Sequence, residues 1–231
     1  MGSGPRLGRT SLSAPPNGND ETAGAVEVIG SGAAAAGAGP FATGVGALLE
    51  RYAAIVETNG LCPYLRDLGG GLGAVFVVLD RELDLELAVR ATRSTASRVI
   101  HVVFPCAPRE SSRAFERFCN HVATRIRDDG RALVHAAFHP AMEGGRESSH
   151  RLVGLLRRSP DPFLQLVPSG IQVGGTMMAG DAPGKIAALE PLFERLMIGD
   201  ALDRLLAQLA ELHAARDRLG SFDPRDARAT S

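Results

Sequence analysis

Residues 74–104, AVFVVLDRELDLELAVRATRSTASRVIHVVF, decide the fold. Ala74–Leu79 is an unbroken apolar run of strand length, rich in β-branched residues and closed by charged turn residues, as a buried strand requires. Glu82–Ser94 then switches to helical spacing, with Leu83, Leu87 and Ala91 on one face. Arg98–Phe104 is a second apolar strand, stopped by Pro105. Strand, helix and strand in close succession is the grammar of an α/β layered domain.

The pattern continues outward from this unit. Ser111 or Ser112 caps a helix to about Arg127, with Phe115, Phe118, Cys119, Val122 and Ile126 inward. Asp129-Gly130 turns the chain into a strand over Ala132–Phe138, a short helix reaches Arg157, and Phe163–Val167 adds a further strand. Upstream, Leu48, Leu49, Tyr52, Ile55 and Val56 define a helix over Gly46–Thr58, ended at Asn59-Gly60. Downstream, helices are expected near Lys185–Met197 and Ala201–Leu219, the second with Asp200 as N-cap and a stripe of Leu202, Leu205, Leu209 and Leu212. The expected architecture is therefore one α/β domain with a small mixed sheet of three to four strands flanked by helices and a C-terminal helical pair. Its division is 1–44 tail, 45–168 core, 169–184 Gly-rich loop, 185–220 helices packed on the core, and 221–231 tail. The 1–44 stretch reads as disordered because so much Gly, Ala, Ser and Pro repays little of its ordering entropy by burial.

Composition narrows function. The chain of 231 residues is 45% hydrophobic and 22% charged, with a formal net charge of −1. Nucleic-acid binding by phosphate neutralisation needs a basic excess that is missing here, so no nucleic-acid partner is expected. No stretch has the length and hydrophobicity of a membrane span, and residues 1–22 lack a secretory h-region; a cytoplasmic protein is expected. Three cysteines, Cys62, Cys106 and Cys119, without a Cys-x-x-Cys pair, read as reduced thiols. Gly30-Ser31-Gly32-Ala33-Ala34-Ala35 imitates a dinucleotide fingerprint, but Gly37, Gly39 and Pro40 interrupt the expected helix and no βαβ unit follows at the right distance. Gly180–Lys185 imitates a phosphate loop, with Ala179 and Ile186 at positions where the pattern needs Gly and Ser/Thr.

Three stretches carry the functional signal: Asn59-Gly60-Leu61-Cys62-Pro63-Tyr64, Phe138-His139-Pro140, and Arg157-Arg158-Ser159-Pro160-Asp161-Pro162. Strand ends and the loops after them are where α/β domains assemble ligand sites. Cys62, His139 and Arg158 are thus the candidate catalytic residues, expected to meet in one cleft. Cys62 reads as a nucleophilic thiolate or a buried structural thiol, His139 as a base or ligand or a strand-end cap, and Arg158 as a bidentate carboxylate clamp. His101 and His135, inside strands, read as satisfied core residues.

In order and spacing these motifs resemble bacterial domain-of-unknown-function families that share G-x-C-P-F, then F-H-P after a strand, then R-S-P-x-P, over roughly Leu48 to Pro168. Tyr64 stands where Phe is usual, and Asp161 where Tyr or Val is usual. These families are in turn similar to small haem-dependent enzymes of specialised metabolism that N-hydroxylate arginine. The resemblance implies an oxygenase-type enzyme for an amino-acid-like substrate, with haem as cofactor and self-association open. It implies His121 as the first candidate iron ligand, then His139 or His101, with Arg158 on a propionate. Cys62 is the thiolate alternative. Helical projection puts His121 on the flank of its apolar face, which favours solvent exposure. The alternative function is a non-catalytic accessory protein binding a biosynthetic partner.

Overall fold

The computed structural model describes residues 26–29, 38–59, 71–169, 172–173, 176–177 and 184–222. Its chain order is β1 (Val26–Ile29), α1 (Gly39–Thr58), β2 (Ala74–Val78), α2 (Leu85–Arg93), β3 (Ile100–Val103), α3 (Ser112–Asp128), β4 (Leu133–Phe138), α4 (Ser149–Leu156), β5 (Phe163–Pro168), β6 (Gln172–Val173), β7 (Thr176–Met177), α5 (Gly184–Leu196) and α6 (Ala201–Leu219). The main sheet has five strands in the order β1-β2-β3-β5-β4. β1, β2 and β3 pair in parallel, and β5 is antiparallel to both β3 and β4. β4 therefore runs with β3, and β5 alone is reversed. The carboxyl ends of β1–β4 and the start of β5 share one edge of the sheet. Val103 and Phe138 both register with Phe163 there.

Side-chain alternation sorts the core into two layers. Val75, Val77, Leu79, Val103, Phe138 and Phe163 face α1 and α6, while Phe76, Val78, Ile100, Val102, Phe104 and Leu164 face α2 and α3. Capping follows the sequence: Asp84 accepts from Leu87 N–H (3.0 Å), Ser111 from Ala114 (3.2 Å) and Ser148 from Arg151 (3.3 Å). The leucine stripe of α6 is buried, and Tyr52 of α1 donates its hydroxyl to the Leu156 carbonyl at the end of α4.

Four expectations change. The sheet has five strands, because Val26–Ile29, read as part of the 1–44 tail, pairs with β2. The β-branched run Val26, Val28, Ile29 is too short to stand out beside its Gly/Ala-rich neighbours. α1 begins at Gly39, with Pro40 in its first turn, so β1–α1–β2 is a βαβ unit where the sequence predicts none at the right distance. Residues 30–37 lie outside the described residues, and β1 is an edge strand rather than the central one of a dinucleotide fold. The stretch read as a Gly-rich loop contains the small β6–β7 pair. Asp200 is the N-cap residue of α6 as expected, but its side chain makes no capping bond and pairs instead with Arg204 one turn on. Among the described residues no helix is long and apolar enough to cross a membrane.

Candidate functional site at the carboxyl edge of the sheet

Two of the three motifs converge. His139 follows β4 directly, and Arg158 to Pro162 lead into β5, its antiparallel neighbour, so both lie at the carboxyl edge. His139 N–H donates to the Arg157 carbonyl (3.0 Å), and the His139 carbonyl accepts from Met142 N–H (3.0 Å). Arg158 Nε donates to the Met142 carbonyl at 3.0 Å, which closes the turn over both residues. Nε is spent on this turn, so a bidentate clamp by Arg158 would use its two outer nitrogens. Gly144 and Gly154 let this loop and α4 touch backbone to backbone, since a Cβ on either would overlap its neighbour's main chain. Cys62 lies outside the described residues.

The His139 ring is fully buried and packs on Phe115 of α3, with centroids 5.6 Å apart. Its Nδ1 accepts the Ala141 backbone N–H at 3.1 Å. That contact fixes the tautomer: in the neutral ring the hydrogen is on Nε2. Burial holds the pKa below the ordinary histidine value; the Pro108 carbonyl and Glu110 pull upward, and Arg109 pulls down. The Pro108 carbonyl lies toward the ring, while among the described residues Nε2 has no partner at ordinary hydrogen-bond geometry.

Asp161 and Arg216 complete the edge, and sequence reasoning missed both as a site. Arg216, on α6, donates from Nε to Asp161 Oδ1 (2.6 Å), from one outer nitrogen to the Gly220 carbonyl (2.6 Å) and from the other to the Pro105 carbonyl (3.1 Å). The two side chains are only 6% and 3% exposed, so this is a buried ion pair tying α6 to the ends of β3 and β5. The guanidinium also lies 5.3 Å from the Phe41 ring, which stacks on Phe222 at 5.5 Å. Burial raises the Asp161 pKa against the pull of Arg216. Among the described residues Asp161 Oδ2 has no hydrogen-bond partner. Arg109 stands beside both groups: it donates to the Pro160 carbonyl at 2.6 Å and faces Asp217 at 3.7 Å. His213 Nε2 meets the Arg158 carbonyl at 3.3 Å. Cys106, half-buried, has its thiol pushed up to about 11, chiefly by burial.

A signal for this pair exists in the sequence. Arg216 continues the stripe Leu202, Leu205, Leu209, Leu212 by one more turn, and a charge on an apolar stripe needs a buried counter-charge. Asp161, between two prolines at a strand start, is the acid that the chain brings to it.

Of the three histidines proposed for iron, two are engaged by contacts of the fold. His121 is exposed on α3. His101 is fully buried on the opposite face of the sheet, its Nδ1 bonded to the Leu72 carbonyl (3.0 Å) and its Nε2 facing the Gln165 amide (3.5 Å). Burial lowers its pKa to about 4, the behaviour of a neutral core histidine. His139 has a free nitrogen, yet it presents a hydrogen there instead of a lone pair. His135 bonds Asn120 Oδ1 at 2.9 Å. Among the described residues no group of three His, Cys, Asp or Glu is arranged to hold a metal ion. Compared with protein-family models, curated proteins and solved structures, the chain matches none.

Proposed function

We propose that this protein is an enzyme acting on a small, amino-acid-like metabolite held at the carboxyl edge of the sheet, between the loops after β3 and β4, the entry to β5, and α6. One observation carries the reading. Two buried side-chain atoms among the described residues lack a hydrogen-bond partner, His139 Nε2 and Asp161 Oδ2, and both belong to this edge. Buried polar atoms in folded proteins are nearly always paired, so two orphans where α/β domains bind ligands mark a site. Arg109 acts on both groups, and Arg158 and His213 bond backbone carbonyls of the same edge.

The motif resemblance adds a reaction class to the proposal, oxygenation at nitrogen of an amino acid such as arginine with the help of haem. Of the histidines that the resemblance points to, His101 and His139 are engaged by their own contacts and His121 is exposed on α3, so Cys62 is the other ligand the resemblance offers. The purified full chain decides this part: a Soret band, alone or after added haemin, that is lost in Cys62→Ser supports it, and a colourless chain that takes up no haemin removes it. The small-molecule reading itself is tested by calorimetric titration with L-arginine, L-lysine, L-glutamate and glycine. Binding by at least one, weakened in Asp161→Asn, is the expected result; no heat from any of them argues against the site.

The second reading, a non-catalytic accessory protein, draws on Met197 and Ile198. These are 46% and 72% exposed in the α5–α6 turn, an apolar tip suited to a partner surface.

A further inference from the structure

We propose that the carboxyl edge selects its ligand through a fixed donor–acceptor pair, in which His139 Nε2–H takes an oxygen acceptor of the ligand and Asp161 Oδ2 takes a ligand N–H or O–H. The inference rests on the reading of this edge as a ligand site and goes further by naming what each atom binds.

The polarity of each position is set by the protein. Ala141 N–H points at His139 Nδ1, so the ring cannot present a lone pair at Nε2 without turning Nδ1–H against that backbone donor. The ring cannot easily turn instead: the backbone of His139 is tied on both sides, to Arg157 and Met142, and its face packs on Phe115. At Asp161 the opposite holds. Among the described residues Arg216 is the only bonded partner of the carboxylate, and its Nε, Nη1 and Nη2 each already donate, to Oδ1, the Gly220 carbonyl and the Pro105 carbonyl. Oδ2 thus remains a buried acceptor that the protein does not fill.

This pairing excludes two ligand classes and selects a third. A divalent cation would need lone pairs from both groups, and His139 offers a hydrogen. A phosphate or sulfate would meet the Asp161 carboxylate with its own negative charge. A small molecule carrying an acceptor oxygen and a separate N–H or O–H donor satisfies both atoms; amino acids, hydroxy acids and their amides are such molecules. Arg109, close to both groups, favours a carboxylate as the acceptor.

The test uses the full chain with 15N-labelled histidine and long-range 1H–15N spectra. The free protein should show His139 as the Nε2–H tautomer. Titrants are acetate (acceptor only), methylammonium (donor only), and glycine and β-alanine, which carry both groups at two spacings. One of the two amino acids should shift the His139 ring signals at a roughly 10-fold lower concentration than acetate, and methylammonium should leave the ring unmoved. His139→Gln, whose amide nitrogen can stand near the place of Nε2, should keep binding within about 3-fold. His139→Asn, whose amide falls short of it, should lose roughly 3- to 10-fold, the effect of one neutral hydrogen bond. An Nδ1–H tautomer in the free protein overturns the proposal whatever the variants do. So does an acetate response equal to that of the amino acids. If amino acids shift the amides of residues 105–109 and 157–162 without reaching His139, the pairing falls while the ligand site stands. If no titrant shifts either set, both fall.

Discussion

Replacing Arg216 by Met keeps most of the side-chain volume on α6 but removes the guanidinium from three acceptors at once. Asp161 Oδ1, the Gly220 carbonyl and the Pro105 carbonyl lose their donor, and the carboxylate, 3% exposed, is left buried without a counter-charge. Breaking a buried pair from one side costs about 3–5 kcal/mol, far more than a surface pair is worth. In a domain of this size each kcal/mol lowers Tm by about 2–4 °C, so the melting point should fall by about 6–20 °C. The pH dependence has a definite sign. Burial already raises the Asp161 pKa, and loss of Arg216 raises it further. A carboxyl whose folded pKa lies above its unfolded value favours the fold at low pH and loses that contribution as pH rises through the folded pKa. The deficit of Arg216→Met against the wild type should therefore be largest near pH 7 and narrow toward pH 4. Adding Asp161→Asn to the variant should recover much of the loss at pH 7, since an amide tolerates burial better than a lone charge. Urea unfolding at both pH values is the assay. A loss below about 1 kcal/mol, unchanged with pH, would refute the claim that this pair is a buried tie between α6 and the sheet.

Other outcomes follow from the same contacts. His101, with its pKa lowered to about 4, is neutral in the fold and protonates in the unfolded chain near 6.5, so its contribution is complete above that value and is lost as pH falls to about 4. The shift of about two and a half pH units amounts to about 3 kcal/mol, and His101→Phe should flatten the urea midpoint over that window. Gly154→Ala drives a methyl into the Glu143 carbonyl and should cost about 1–3 kcal/mol in urea unfolding, because backbone cannot yield as a side chain can. Native-state alkylation with iodoacetamide at pH 7.5 should spare Cys106 and Cys119, whose thiols burial pushes up, and modify both after unfolding; mass spectrometry of peptides reads this out.

Much of the fold was legible because its strongest elements obey local rules. The apolar run at 74–79, the capped helix from Ser112 and the leucine stripe of α6 each carry a period or a cap that tertiary structure had no reason to override. β1 was not legible: four residues flanked by glycine and alanine have too little periodicity, and they become a strand only because β2 offers an open edge. At the site, the convergence of His139 and Arg158 followed from strand-end positions. The Asp161–Arg216 pair joins residues 55 apart in the sequence: the leucine stripe marks Arg216 as buried, but no local pattern names its partner. His139 shows a third limit: its place could be read, but whether it offers a lone pair or a hydrogen depends on the Ala141 amide, which only the folded turn supplies.

The central claim, a small-molecule site at the carboxyl edge, is tested most directly by hydrogen exchange of the full chain with and without the amino acid that gives the largest heat in calorimetry. The account predicts slower exchange at the amides of residues 105–109, 139–145 and 157–161, with no change at the opposite edge, residues 94–99 and 129–132. Protection confined to that opposite edge, or to the α5–α6 turn around Met197, would contradict it.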